Sequence, residues 1–247
     1  QDIDEGCKYI KEAGFNEYAF GQNNLGLIYQ FYLNNIENAR YMYERASKHN
    51  FAPAEYNFGH IYEEKGNLVE AYKLYERASK HEDQEMIFHN IKRYDKRLKY
   101  STIFITTLAE LKLIHYYLSL ETYNSDKVQI YFNKIFTKFK KYLENEYFPL
   151  VIGEKCENIF HLICNTFFNN TDDTNIDETI QYEKYCLQKK HKQQTIENIN
   201  DMKNIFEYKS QKLLKDVLTD RNIRERFMLN IAEMIDLMNS ILYKPPY

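Results

Sequence analysis

Apolar residues recur every three or four positions along most of the chain, which is the spacing of one face of an α-helix. The clearest case is residues 126–147, where that face carries Val128, Tyr131, Phe132, Ile135, Phe136, Phe139 and Leu143. The same spacing predicts further helices over 99–122, 150–169, most of 177–218 and 221–243. Asp220 is expected to cap the last of them. No stretch has the alternation typical of a strand, so the pattern predicts an all-α protein.

The first third of the chain contains an internal repeat. The heptapeptide YERASKH occurs at 43–49 and again at 75–81, and the match spreads outward over about 17–50 and 52–82. We call these stretches the first and second copies. Gly26 and Gly59 are 33 positions apart (59 − 26 = 33), whereas Ala39 and Ala71 are 32 apart (71 − 39 = 32). The first copy therefore has one extra residue, which we place between its two helices.

The residue types in the repeat have a physical reading. A glycine in a helix costs about 1 kcal/mol relative to alanine, so Gly26 and Gly59 indicate a close approach of a neighbouring helix. Large residues such as Tyr43 and Tyr75 would fill the space between hairpins. A period near 33 predicts stacked helical hairpins, because one hairpin cannot bury its own apolar face.

This spacing resembles the tetratricopeptide family, and the segment APAEYNFGHIYEEKGNLVEAYKLYERASK (52–80) closely resembles its Sel1-like branch. The resemblance covers about residues 1–85, including a partial repeat at 1–13. It departs from the family in the short loop EEKGNLVEA and in the loss of register after His81, where Arg93 stands in place of the next glycine. The resemblance implies an α-solenoid whose first helices line a concave groove.

In the family, that groove binds peptides or partner proteins. The groove positions that carry over are Asn23, Asn24, Leu27 and Gln30 from the first copy, and Tyr56, Asn57, His60, Glu63 and Glu64 from the second. The equivalent Asn24 and Asn57 suit an extended peptide, because an amide both donates to and accepts from a main chain. The family's carboxylate clamp of Lys and Arg has no counterpart among these residues.

The domain prediction has two parts. Residues 1–98 are expected to hold the repeats, closed by a degenerate helix at 83–98. Residues 99–247 are expected to form an all-helical C-terminal module, either further divergent hairpins or a separate bundle. The polar stretch QKKHKQQT (188–195) reads as a break or an exposed helix.

Composition excludes several function classes. The formal net charge of −3 gives no general attraction to nucleic acid or to an anionic membrane. No apolar run approaches the roughly 20 residues that span a bilayer. The four cysteines lack CxxC spacing, which favours a reducing, cytoplasmic setting over a disulfide framework. Gln1 in place of Met indicates a fragment or a processed product.

Candidate chemistry is sparse. Cys156, His161 and Cys164 share one predicted helix but lack a fourth zinc ligand, so we interpret them as core residues. The pairs Arg45–His49 and Arg77–His81 recur because the repeat recurs, not because they form a catalytic motif. We therefore expect no enzyme activity, no cofactor and no metal.

The sequence leads to two binding hypotheses and leaves open a third, an enzyme activity within residues 99–247 that no motif reveals. The first is a non-enzymatic scaffold or adaptor that holds a protein or peptide on its concave repeat surface. The alternative is a regulatory sensor that binds a small peptide or metabolite and controls an attached or partner effector. A homodimer through the C-terminal helices fits either hypothesis, and neither involves nucleic acid or membrane.

Overall fold

A computed structural model describes residues 18–81, 95–144 and 196–243. Within these ranges every regular element is helical and no strand occurs, in agreement with the predicted all-α class. The α-helices are α1 (Ala19–Leu27), α2 (Ile36–Ser47), α3 (Ala52–Glu64), α4 (Leu68–Ala78), α5 (Asp95–Ser119), α6 (Ser125–Glu144), α7 (Ile196–Thr219) and α8 (Arg221–Leu242). None of these described helices is long and apolar enough to cross a membrane.

Several predicted elements lie outside the described residues. They are the partial repeat at 1–13, most of the closing helix at 83–98, the helix at 150–169 and the polar stretch at 188–195.

The two copies each form a pair of helices joined by a short turn. In the first copy α1 packs on α2, and in the second α3 packs on α4, with α2 and α3 also in contact. The second helix of each pair starts at an asparagine N-cap. The Oδ1 of Asn35 accepts from the backbone N–H of Asn38, and that of Asn67 accepts from Glu70. Each cap satisfies a backbone donor that would otherwise lack a partner.

The extra residue of the first copy is accommodated by a π-helical turn. Residues Ile28–Tyr32 continue α1 in π geometry, whereas α3 runs as a regular helix to Glu64. The N–H of Asn35 donates to the carbonyl of Tyr29, and the equivalent N–H of Asn67 donates to that of Tyr62. The same bond therefore closes both turns, with one more residue enclosed in the first copy. A π-helical turn is a common way for a helix to absorb an insertion.

Each repeat glycine lies against a tyrosine ring on the second helix of its own pair. The expected close approach is therefore found, but it is made by tyrosines that were predicted to lie between hairpins. A Cβ atom at Gly26 would overlap the ring of Tyr43. A Cβ at Gly59 would lie 2.9 Å from the Cε1 atom of Tyr75. Tyr43 and Tyr75 are both fully buried, so neither ring has free space to move into.

The described residues belong to two compact units. One comprises Gln1–Leu113 with Tyr243–Tyr247, and the other comprises Ile114–Leu242. The dividing point lies within α5. The predicted boundary between residues 98 and 99 also lies in this helix, and it stays a prediction.

The second unit has its own apolar core. Phe132 of α6 packs against Phe227 of α8 with ring centroids 6.2 Å apart. The core also contains buried Val128, Ile135, Leu213, Val217, Ile231 and Met234. Asp220 caps α8 as predicted, because its Oδ1 accepts from the N–H groups of Asn222 and Ile223 at 2.7 and 3.1 Å.

Candidate functional site: an amide and aromatic cluster in the repeat unit

Equivalent residues of the two copies make equivalent hydrogen bonds. Gln30 and Glu63 occupy the same repeat position. The hydroxyl of Tyr43 donates to Oε1 of Gln30 at 2.9 Å, and that of Tyr75 donates to Oε2 of Glu63 at 2.6 Å. Two of the predicted groove residues thus tie the first helix of each pair to the second.

Asn23 and Asn57 are joined directly. The Nδ2 of Asn57 donates to the Oδ1 of Asn23 at 2.8 Å. Both side chains are buried, with 2% of Asn57 and 5% of Asn23 exposed. Because Nδ2 of Asn57 is held by Asn23, the amide orientation is set and its Oδ1 is left to accept from elsewhere.

That acceptor is used by Tyr243, which belongs to the same unit. The Tyr243 hydroxyl donates to Oδ1 of Asn57 at 3.0 Å. Its ring lies edge-on to His60, with centroids 5.4 Å apart, and against Phe31 at 4.8 Å. We call the three residues Asn57, His60 and Phe31 the tyrosine pocket. Sequence reasoning missed Tyr243, because no pattern links it to Asn57, which is 186 residues away. It also missed Phe31, although this residue has the same repeat position as the predicted groove residue Glu64 (64 − 31 = 33).

The hydroxyl end of Tyr243 lies in low-dielectric surroundings, although the residue as a whole is half-buried. Burial raises the pKa of Tyr243 well above its usual range, and the nearby Tyr56, Tyr43, Glu64 and Glu63 raise it further. The hydroxyl of Tyr243 is therefore protonated and neutral in this site.

Charged residues lie beside the pocket. Lys112 of α5 donates to the same Oε2 atom of Glu63, at 2.6 Å, that accepts from Tyr75. Glu64 is half-exposed, and its Oε1 lies 3.6 Å from Nδ1 of His60. Burial lowers the pKa of His60 and Lys112 lowers it further, while Glu64 and Glu63 act in the opposite direction. His60 is thus favoured as a neutral ring.

The remaining predicted groove residues have different surroundings. Tyr56 is fully buried, with its ring 5.2 Å from that of Tyr75. Leu27 packs on the core cluster around Tyr43 and Ile61. Asn24 is half-buried. It is Asn23, not the repeat equivalent Asn24, that bonds to Asn57. The assignment of these residues to a groove stays a prediction.

A second buried cluster lies at the other end of α3. Glu55 is completely buried; it forms an ion pair with Nη2 of Arg77 at 2.7 Å and a hydrogen bond with Nε2 of His81, also at 2.7 Å. Gln22 has the equivalent position in the first copy, and neither atom of its buried amide has a hydrogen-bond partner. The Arg77–His81 pair therefore holds α3 against the end of α4. Positions 22 and 55 are equivalent in the repeat and both carry a long polar side chain, and this was a signal in the sequence for the cluster.

Among the described residues, no group of three or more His, Cys, Asp or Glu side chains is arranged to hold a metal ion. Cys156, His161 and Cys164 lie outside those residues.

Comparison with known proteins does not assign the chain to a family. No protein-family model, no curated protein and no solved structure matches the chain.

Proposed function

We propose that the chain is a helical-repeat protein of the tetratricopeptide type, with Sel1-like spacing, and that it binds an extended segment of a partner protein. The proposed binding surface is the face formed by the first helices, α1 and α3. The observation that carries the proposal is the pair of amides Asn23 and Asn57, buried side by side on these two helices.

Two features support a binding role for this face. First, equivalent polar residues of the two copies make equivalent hydrogen bonds, as Gln30 and Glu63 illustrate, and in a stacked repeat such residues would form one row. Peptide-binding repeat surfaces depend on such rows, because an extended chain offers donors and acceptors at regular intervals. Second, the row is flanked by an exposed aromatic residue, Phe31, and tyrosine and phenylalanine are enriched at protein interfaces.

The proposed activity is non-enzymatic. Because Asn23 and Asn57 are bonded to each other, the binding energy would come from shape, hydrogen bonds to the half-buried amide of Asn24 and aromatic contacts. The sensor hypothesis shares this binding surface and differs only in what binding controls.

Site-specific photo-crosslinking tests the proposal. A photoreactive phenylalanine analogue would replace Asn24, which is half-buried on α1, and in a matched control it would replace exposed Tyr41 on α2. Both full-length variants would be incubated in native lysate after their helicity has been checked by circular dichroism. We expect residue 24, and not residue 41, to crosslink to one defined segment of another protein. Equal labelling from both positions, or labelling from residue 41 alone, would contradict the proposed surface.

A further inference from the structure

The tyrosine pocket is occupied by Tyr243, a residue of the same chain. Tyr243 contacts each of the three pocket residues through a different part of its side chain. The hydroxyl bonds to Asn57, one edge of the ring meets His60, and the ring packs against Phe31. Phe31 is still 45% exposed with Tyr243 in place, so the pocket is open to solvent on that side.

The pocket has the features of a selective tyrosine site. The Oδ1 of Asn57 is aimed by the bond from its Nδ2 to Asn23, so an acceptor is ready for a hydroxyl group. A phenylalanine would fill the same volume but leave that buried oxygen without a donor, which corresponds to a loss in affinity of about tenfold. A phosphorylated or sulfated tyrosine has no phenolic O–H to donate to that oxygen, so the pocket disfavours both modifications.

We propose that this pocket recognises an unmodified tyrosine side chain in a peptide segment of a partner, and that Tyr243 occupies it in cis as an intramolecular competitor. This inference rests on the proposed function and names the side chain that the binding surface selects. A competitor in cis lowers the apparent affinity for a partner by the fraction of molecules in which the pocket is free. Removal of Tyr243 should therefore strengthen binding of a tyrosine peptide.

Fluorescence polarisation with a synthetic peptide tests this. The probe is a dye-labelled peptide that copies residues 239–247 with alanine in place of the last tyrosine (NSILYKPPA), and its control also carries alanine at the tyrosine that corresponds to Tyr243 (NSILAKPPA). Each is titrated with the full chain and with its Tyr243→Ala variant. We expect the variant to bind the tyrosine peptide at least about tenfold more tightly than the unmodified chain does. A tenfold difference corresponds to an unmodified chain in which Tyr243 leaves the pocket free in about a tenth of the molecules. The alanine peptide should bind at least about tenfold more weakly than the tyrosine peptide.

Two further variants serve as controls. Tyr208→Ala removes a tyrosine of α7 that is 67% exposed, and it should leave binding unchanged. Asn57→Ala, added to Tyr243→Ala, should weaken binding of the tyrosine peptide by about tenfold and leave binding of the alanine peptide unchanged. Equal affinity of the unmodified chain and the Tyr243→Ala variant would overturn the competition, and equal binding of the two peptides would overturn the selectivity.

A measurement on the unmodified chain keeps the proposal testable if Tyr243→Ala fails to fold. With isotope-labelled tyrosine, excess unlabelled peptide should move the Tyr243 ring resonances toward free-tyrosine values, whereas unchanged resonances would overturn the competition. Failure of the inference can be told from failure of the proposed function. If residue 24 still crosslinks to a partner segment while the tyrosine peptide shows no preference, the binding surface stands and the tyrosine selectivity is wrong.

Discussion

The side-chain amide of Asn57 donates to the Oδ1 of Asn23 over 2.8 Å, and this hydrogen bond joins the first helices of the two copies. Replacing either residue by alanine leaves a buried polar group of the other without a partner, which costs about 1–3 kcal/mol. We expect each single variant to be destabilised by that amount in urea unfolding. The double variant should cost about 1 kcal/mol less than the sum, because the lost bond is then counted once. Strict additivity would show that the bond contributes nothing.

The repeat glycines should resist replacement by alanine. In an open helix the change would stabilise the protein by about 1 kcal/mol. At Gly59 the new methyl group would lie 2.9 Å from the ring of Tyr75 and 3.1 Å from the carbonyl of Ala71. We expect Gly59→Ala and Gly26→Ala each to lower the free energy of unfolding by about 1–3 kcal/mol. The cost of Gly59→Ala should be smaller when it is measured in a Tyr75→Leu background, and a stabilised Gly59→Ala variant would contradict the close approach.

Glu55 should matter more for stability than surface carboxylates do. Glu55→Gln removes the buried negative charge that pairs with Arg77 and His81. Since the Arg77 side chain is partly exposed, we expect a loss of about 2 kcal/mol rather than the larger cost of a fully buried pair. The control is Glu70→Gln, which breaks the exposed pair with Lys73 and should leave the unfolding midpoint unchanged. Equal effects of the two substitutions would refute the buried ion cluster.

Acid should destabilise the repeat unit through His60. Its folded pKa is lowered by burial and by Lys112, so the unfolded chain binds a proton more readily than the folded one. Stability is therefore fully present above the unfolded pKa of about 6.5 and is lost as the pH falls from there through the folded pKa. Urea unfolding at pH 7.5 and about pH 5.5 should show a smaller loss for His60→Gln than for the unmodified chain. Identical losses would exclude His60 as a contributor.

Alkali should act through three buried tyrosines. Burial raises the pKa of Tyr43, Tyr75 and Tyr243 in the folded protein, in each case as the largest cause. Their contribution to stability is present below the unfolded pKa of about 10 and is lost as the pH rises above it, by about 1.4 kcal/mol per pH unit for each group. Tyr75→Phe should make this decline shallower when unfolding is followed by circular dichroism against pH. An unchanged slope would mean that Tyr75 ionises as readily in the folded chain as in the unfolded one.

The features that the sequence predicted correctly are local or repetitive. Apolar spacing predicted α6 and α8, and Asp220 was recognised as an N-cap from the residues that follow it. Gly26 and Gly59 indicated close contacts, because glycine is unfavourable in a helix unless a neighbouring group leaves no room for a side chain. A count of residues between Gly26 and Ala39 located the insertion, but not its π-helical form. The π-helical form arises because the bond between Asn35 and Tyr29 matches the bond between Asn67 and Tyr62 in the second copy, while the first copy encloses one more residue.

The sequence by itself therefore determined the helical class and the repeat, because periodicity and capping act between residues a few positions apart. Only the tertiary structure decided which amide meets Asn57, that Glu55 pairs with Arg77 and His81, and that Tyr243 enters the tyrosine pocket. Asn23 and Asn24 are neighbours with the same side chain, and only the packed structure shows that Asn23 bonds to Asn57 whereas Asn24 is half-buried. Tyr243 meets Asn57 because of the path of the chain through many intervening residues, and no local spacing encodes that path.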